Sequence, residues 1–491
     1  MDANKFKKAL HEIKPVSFIL GVLLCVTSIS MLLPLWVDIY YGNSDWRFFF
    51  YGFLLTGGVG FTTAYFSYHK DMQFSARKAF CITALSWVIV PMAASLPIYF
   101  SEYIHISFAS AVFEAISGIT TTGSTTITGL DTAPPGVLIW RAILQWLGGV
   151  GVIVMAITVL PYLQVGGMQL FKMEALENQK ALPKSAKLAV NIVMIYFILT
   201  LACFLSYKYV GMSSFDAIAH AMTTISTGGF STKDASLGHY EGTGALIVAI
   251  IFMIMGSLPF LFYLKVVRGE KSVLFKDSQV QWFFVIIAFC SIVTIIYLVY
   301  NYNFAFEWAV KHAIFNVVSL VSGTGYASDN YGLWGSFFIV FSFFFMMIGG
   351  CAGSTTCGIK IFRFQVLTSI VHSQLNQILF SNGTFVPKFN GRRLSNEVTM
   401  SVLSFFFVYA MSFAVVALLL FLNNLDPITA LSAAATSVSN VGPGLGDIIG
   451  PAGNFASLSD TVKWILCGAM ILGRLEFFTI LVMFTPQFWR K

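Results

Sequence analysis

FASAVFEAISGITTTGST, residues 108–125, decides how the rest of the chain is read. It opens with apolar and small residues at helical spacing and closes on a run of Ser and Thr around Gly123. Three further stretches share that form: FDAIAHAMTTISTGGFST (215–232), FEWAVKHAIFNVVSLVSGTGYAS (306–328) and DPITALSAAATSVSNVGPGLGD (426–447). Aligned on Gly123, Gly228, Gly325 and Gly442, they recur at intervals of 105, 97 and 117 residues. Each reads as an amphipathic helix of about three turns, followed by a Ser/Thr/Asn-rich strip ending in Gly. One such segment is an ordinary polar loop. Four at near-constant spacing are a repeat, and a repeat sets the architecture.

The sequence between these segments is apolar. Of 491 residues, 57% are hydrophobic and 10% charged, with mean hydropathy +0.78. A soluble domain carries roughly 25% charged residues, so this composition excludes a water-soluble protein and, still more, a disordered chain. Charge-free runs at 16–37, 48–68, 79–101, 142–171, 188–207, 242–264, 278–306, 330–359 and 398–425 each suffice to span a bilayer as helix. The stretch from Trp464 to Trp489 is as long but holds Arg474 and Glu476, so ten crossings are expected. The first run follows Lys5, Lys7, Lys8 and Lys14 and is too long for the core of a signal peptide. It reads as an anchored helix.

With the N-terminus placed in the cytoplasm, 22 of the 29 basic residues fall on inner segments, among them Lys172, Lys180, Lys271, Lys388, Arg392 and Arg393. Arg141 and Arg474 lie within helices. That bias follows the positive-inside rule with both termini cytoplasmic, and it explains the basic excess without a nucleic-acid partner. Acidic residues tilt the other way, with 13 of 22 outside, including Glu114, Asp216, Asp329 and Asp447. Such a face gathers cations.

A three-turn helix, at ~1.5 Å per residue, crosses about half of a bilayer. Unpaired backbone behind it is tolerated at that depth only inside protein or against water. The expected fold is an all-α integral membrane protein: four pseudo-fourfold repeats of helix, re-entrant half-helix with its pore loop, and helix, plus a leading helix pair. The divisions fall at 1–76 for the pair, then 77–170, 171–275, 276–395 and 396–491, with strips at 120–125, 225–230, 322–327 and 439–444. Four such units can close round one axis, where carbonyls replace the hydration shell of a cation. Gly turns its carbonyl inward with no Cβ in the way.

TTTGST (120–125), STGGFST (226–232), SGTGYAS (322–328) and SNVGPGLG (439–446) resemble the four filter loops of the Trk/Ktr/HKT potassium-transporter superfamily. GGCAGSTTCGIKIFR (349–363) and LGRLEFFT (472–479) are similar to its bacterial TrkH/TrkG-type membrane subunit, and the likeness covers essentially the whole chain. The resemblance implies K+ uptake across the bacterial inner membrane by a channel-like pore, with K+ as transported ion and no cofactor. It implies K+ coordination at Thr121, Thr122, Gly123, Ser226, Thr227, Gly228, Gly323, Thr324, Gly325, Asn440, Val441 and Gly442. It also implies a homodimer in lipid, each protomer with its own pore, served by a TrkA-like cytoplasmic nucleotide-binding regulatory subunit. One strip departs: Ser322-Gly323-Thr324-Gly325 stands where family members often have Thr or Ala before the Gly, which bears on fine selectivity.

Residues 349–358 hold four Gly in ten, at 349, 350, 353 and 358. In a helix each costs roughly 1 kcal/mol against Ala, which favours a break over close helix packing. By the resemblance, Gly349, Gly350, Gly353, Ser354, Thr355 and Gly358 form an intramembrane gating loop, with Arg474 beside it. A phosphate loop is excluded, because Ile359 separates Gly358 from Lys360 and no Ser or Thr follows the Lys. Gly148, Gly149 and Gly151 read as packing contacts, and His220 and His312 as structural. The seven Cys fit buried thiols. A secondary transporter coupling K+ to H+ or Na+ is the alternative, with Arg474 and Glu476 as its only intramembrane relay candidates in the last span. A membrane-embedded enzyme lacks a catalytic set.

Overall fold

The computed structural model describes residues 3–490 apart from 71, 73–74, 159–182, 241 and 271–275. The expected boundaries at 170/171 and 275/276, and Lys172, Lys180 and Lys271, lie outside the described residues or at their edge. A leading pair comes first: α1 (Ala3–Ser30), continued by α2 (Leu32–Tyr41), packs along α3 (Trp46–Ser67). Small residues permit the close approach. A Cβ on Gly21 would stand 2.7 Å from Gly60 O, and one on Gly60 2.9 Å from the Cys25 nitrogen, the small-residue packing that membrane helices use.

Four units follow. The first is α4 (Ala76–Ala94), α5 (Phe108–Ile119) and α6 (Pro135–Thr158); the second is α7 (Pro183–Tyr209), α8 (Ser214–Ile225), α9 (Thr243–Ser257) and α10 (Phe260–Val267). The third comprises α11 (Ser278–Tyr302), α12 (Phe306–Val321), α13 (Ser336–Phe345) and α14 (Ile361–Leu379). The fourth comprises α15 (Asn396–Phe421), α16 (Pro427–Ser439), α17 (Asp460–Arg474) and α18 (Phe478–Leu481). Among the described residues the only strands, β1 (Lys388–Phe389) and β2 (Arg392–Arg393), form a hairpin on Asn390-Gly391, both at positive φ as its tight turn requires.

The half-helices α5, α8, α12 and α16 have 12, 12, 16 and 13 residues. Three begin on a side-chain cap: Ser107 Oγ accepts from Ser110 N, Ser213 Oγ from Asp216 N, and Asp426 Oδ2 from Thr429 N, at 3.2, 3.0 and 3.0 Å. The caps satisfy backbone donors that the first turn leaves free. Beyond these ends the half-helices run through the core, and every residue of α5 from Ala109 to Ile119 is buried.

Six described spans are long and apolar enough to cross a membrane, or eight if each bent pair counts as one. Three of the ten expected runs are thus not single straight helices. The run 242–264 bends by 93° between α9 and α10, and 464–489 bends by 105° after Arg474. The run 330–359 is helical only over a 3-10 turn at Tyr331–Leu333 and over α13. Pro259 has no N–H to continue the first helix. Glu476 and Phe477 sit at positive φ in the second. Gly148, Gly256 and Gly473 face the last carbonyls of their half-helices, Ile119 O, Ile225 O and Val438 O, closely enough that a Cβ would collide. The same contact thus recurs in units one, two and four.

Candidate functional site

The four strips follow one hydrogen-bond pattern. Thr122 N donates to Ser117 O, Gly228 N to Thr223 O, Thr324 N to Ser319 O and Val441 N to Thr436 O, at 2.9, 2.9, 2.9 and 3.1 Å. Each of these residues is flanked by two at positive φ: Thr121 (53°) and Gly123 (87°), Thr227 (50°) and Gly229 (79°), Gly323 (70°) and Gly325 (81°), Asn440 (54°) and Gly442 (103°). The alignment on Gly228 is thereby corrected by one residue. Gly229 is the structural partner of Gly123, Gly325 and Gly442, and Ser226 matches Thr120, Ser322 and Ser439. Strip two has two adjacent glycines, and only the second takes the left-handed conformation.

The strips close on one another. A Cβ on Gly123 would collide with Gly228 O, one on Gly229 with Thr324 O, and one on Gly325 with Val441 O; one on Gly442 would stand 2.8 Å from Thr122 O. Strip one thus abuts two, two abuts three, three abuts four and four abuts one. Eight left-handed residues line this ring. Thr121 and Thr227 are β-branched there, a strain of about 1–3 kcal/mol each that only a tightly determined surrounding maintains.

Buried polar side chains behind the ring supply that surrounding. Glu114, His220 and Asn316 occupy equivalent positions on α5, α8 and α12. Glu114 Oε2 accepts from Thr126 N at 2.8 Å, His220 Nε2 lies 3.0 Å from Ser231 Oγ, and Asn316 Oδ1 accepts from Ser328 N at 3.2 Å. His312 Nδ1 lies 2.9 Å from Ser328 Oγ. Arg141 pairs with Glu114 at 2.6 Å, and their side chains are 1% and 0% exposed. Arg141 also donates from Nη1 to Ser231 O at 2.9 Å, and its guanidinium lies 4.0 Å above the Phe230 ring. One turn on, Gln145 reaches the ring itself: Nε2 donates to Gly228 O at 2.7 Å and Oε1 accepts from Phe230 N at 3.0 Å. A cavity of about 70 Å³ opens on the Arg141 side, lined by Gly123, Gly229, Gly325 and Gly442.

The Gly-rich segment lies across the other face. Thr355 Oγ1 donates to Ile225 O at 3.1 Å and accepts from Thr227 Oγ1 at 3.1 Å. Cys357 Sγ lies 3.9 Å from Thr120 O. The segment also fills the break between α9 and α10: Cys351 N donates to Ser257 O, Thr355 N to Gly256 O, and Phe260 N to Gly353 O, at 3.0, 3.2 and 3.0 Å. Gly353 and Gly358 adopt positive φ, and Gly349 N closes the segment by donating to Ile359 O at 2.9 Å. Gly350 N and Ser354 Oγ both reach Thr356 Oγ1, at 3.0 and 2.8 Å.

Arg474, expected at mid-helix, instead ends α17 at the bend. Its Nη1 donates to Thr355 O at 3.2 Å and contacts Cys357 Sγ, its Nη2 donates to Gly148 O at 3.2 Å, and it stacks 5.6 Å from the Trp87 ring. Glu476 does not serve it. That carboxylate pairs with Arg363 at 2.6 Å.

A family model described as TrkH, cation transport protein, matches residues 47–491. This chain belongs to the TrkH cation transport protein family. It is 40% identical to the Trk system potassium uptake protein TrkI of Halomonas elongata, over the whole of both chains. To the Trk system potassium uptake protein TrkH of Escherichia coli it is 34% identical, over 97% of this chain and 99% of the relative. Its fold superposes with a TM-score of 0.90 on the crystal structure of the potassium transporter TrkH from Vibrio parahaemolyticus, at 32% identity over 97% of this chain and 100% of that one. Family membership and the apolar spans make it a multi-pass membrane transport protein rather than an enzyme.

Within this TrkH-family chain, the structure brings all four strips to one ring and the 349–358 segment and Arg474 to one side of it. Sequence reasoning missed Gly229 and Gln145, and left Glu114 and Arg141 without roles. A signal for two of these was present: Arg141 and Gln145 stand four apart in an otherwise apolar helix, and so share a face.

Proposed function

We propose that this protein carries K+ into the cell through the ring of strips, which acts as the selectivity filter. The closed ring of glycine–carbonyl contacts supports this reading most directly, because backbone held that rigidly can substitute for a hydration shell. The four half-helices end at the ring, so their carbonyl termini add negative potential there. The filter residues are Thr121, Thr122, Gly123, Thr227, Gly228, Gly229, Gly323, Thr324, Gly325, Asn440, Val441 and Gly442, with Ser226 at the foot of the second strip. Residues 349–358 and Arg474 are the gate.

The protein works in the bacterial inner membrane with both termini cytoplasmic, as a homodimer with a cytoplasmic nucleotide-binding subunit. The relatives named as parts of a Trk system support a multi-component assembly. The coupled-transport alternative has less support, since Arg474 and Glu476 are each tied to other partners. Purified protein in liposomes with a K+ gradient and no proton or Na+ gradient decides between them. Downhill Rb+ uptake is expected; uptake that requires an imposed proton or Na+ gradient overturns the channel reading.

A further inference from the structure

The four strips are not braced alike. In strips one and three the residues at the first and third positions join hydroxyls, Thr120 to Thr122 and Ser322 to Thr324, both at 2.7 Å. Strip four is held by Asn440, whose Nδ2 donates to Thr122 Oγ1 and to Met470 O, both at 2.9 Å. Strip two has Gly228 at the third position, so Ser226 Oγ has no hydroxyl there and turns back to Thr223 O at 3.2 Å. Gly228-Gly229 is also the most permissive backbone in the ring. Its brace comes from another unit. The Gln145 carboxamide, fully buried, bonds Gly228 O and Phe230 N, one on each side of left-handed Gly229. Both ends of the amide have complementary partners, which fixes its orientation. Among the described residues, Gly228 O is the only carbonyl of the ring-contact set (Thr122, Gly228, Thr324, Val441) that accepts a side-chain hydrogen bond.

We propose that Gln145 is a positioning residue that sets the second carbonyl of the ring, and through it the discrimination between K+ and Na+. The glycine at 228 is part of the same device. A Cβ there would overlap the Gln145 carboxamide, so the strip gives up its own hydroxyl brace to admit an external one. An external brace ties the strip's geometry to α6, which a hydroxyl pair within the strip does not.

The inference rests on the filter reading, and the experiment separates the two. Rb+ and Na+ uptake are compared in liposomes for Gln145→Met, which keeps the length and loses both hydrogen bonds. The Rb+/Na+ ratio is expected to fall about three- to tenfold, the equilibrium equivalent of one or two such bonds. Gly228→Thr alone is expected to lower the ratio as well, through overlap with the carboxamide. The double variant Gln145→Ala/Gly228→Thr makes room for a hydroxyl partner to Ser226 and is expected to recover selectivity, a coupling that independent sites do not show.

An unchanged ratio in folded Gln145→Met overturns the proposal, as does a double variant no better than the worse single one. Should Gln145→Met fail to fold, the double variant decides. With Gly123→Ser run alongside, a ratio that moves there but not in Gln145→Met refutes the brace and leaves the filter standing. If neither moves, the filter reading falls too.

Discussion

A serine at Gly123 has nowhere to put its Cβ. The position is at φ 87° and its Cβ direction is filled by Gly228 O. The left-handed conformation alone costs an L-residue about 1–2 kcal/mol, on the order of tenfold in any equilibrium that depends on it. Gly123→Ser is expected to displace the second carbonyl and lower the K+/Na+ flux ratio by about that factor; an unchanged ratio with intact flux counts against the filter. Arg474 invites the opposite expectation. Its charge stands beside the 349–358 segment and spans units one and three through Gly148 O and Thr355 O. Removing a fixed positive charge from a cation path lowers a barrier, so Arg474→Ala is expected to raise Rb+ uptake severalfold in liposomes. A folded variant with unchanged or lower uptake leaves Arg474 as a staple only. Glu114→Ala strips a buried Arg141 of its partner, which costs about 3–5 kcal/mol; a lowered melting temperature in detergent checks it. At this scale the residue types of the ring were legible. The register of strip two was not, because STGG offers two glycines and nothing local says which takes positive φ.

Among elements, the Gly-rich segment is the one proposed as the gate. It is pinned to the ring by Thr355 and to the α9/α10 break by backbone hydrogen bonds through Ser257, Gly256 and Gly353. Shortening it within 351–356 is expected to raise basal Rb+ flux severalfold, with loss of regulation by the proposed partner subunit. A folded deletion that conducts no better marks the segment as a packing device. The half-helices were legible, since amphipathic spacing and Ser or Asp caps are written locally. The bends were not. Counting charge-free residues measures solubility in lipid and says nothing about φ and ψ at Glu476 or Phe477. Pro259, however, was a local sign that one run would break.

For the whole molecule, the distribution of charge sets orientation, and labelling can read it. His105 and Asn382 are both exposed and lie on opposite sides by the positive-inside assignment. In intact cells, a membrane-impermeant thiol reagent is expected to label His105→Cys and spare Asn382→Cys. The reverse pattern inverts the topology. The all-helical membrane class and the four strips could be read from composition and spacing because the bilayer constrains sequence on the scale of whole helices, while the orientation read from charge is what the labelling tests. The cross-unit contacts of Gln145, Arg141 and Arg474 could not, since each joins residues far apart in sequence through geometry that only the closed ring creates.

That the ring is a single polypeptide has a consequence of its own. In a channel assembled from four identical subunits, every substitution arrives in quadruplicate, and a change tolerable once is imposed on every side. Here each quadrant is a separate locus. The residues before the four glycines already differ as Thr122, Gly228, Thr324 and Val441, with braces as unlike as a hydroxyl pair and a borrowed carboxamide. With the ring as the proposed filter, such a pore can be edited in quarter steps, and its ion preference becomes a graded, heritable trait rather than an all-or-nothing one.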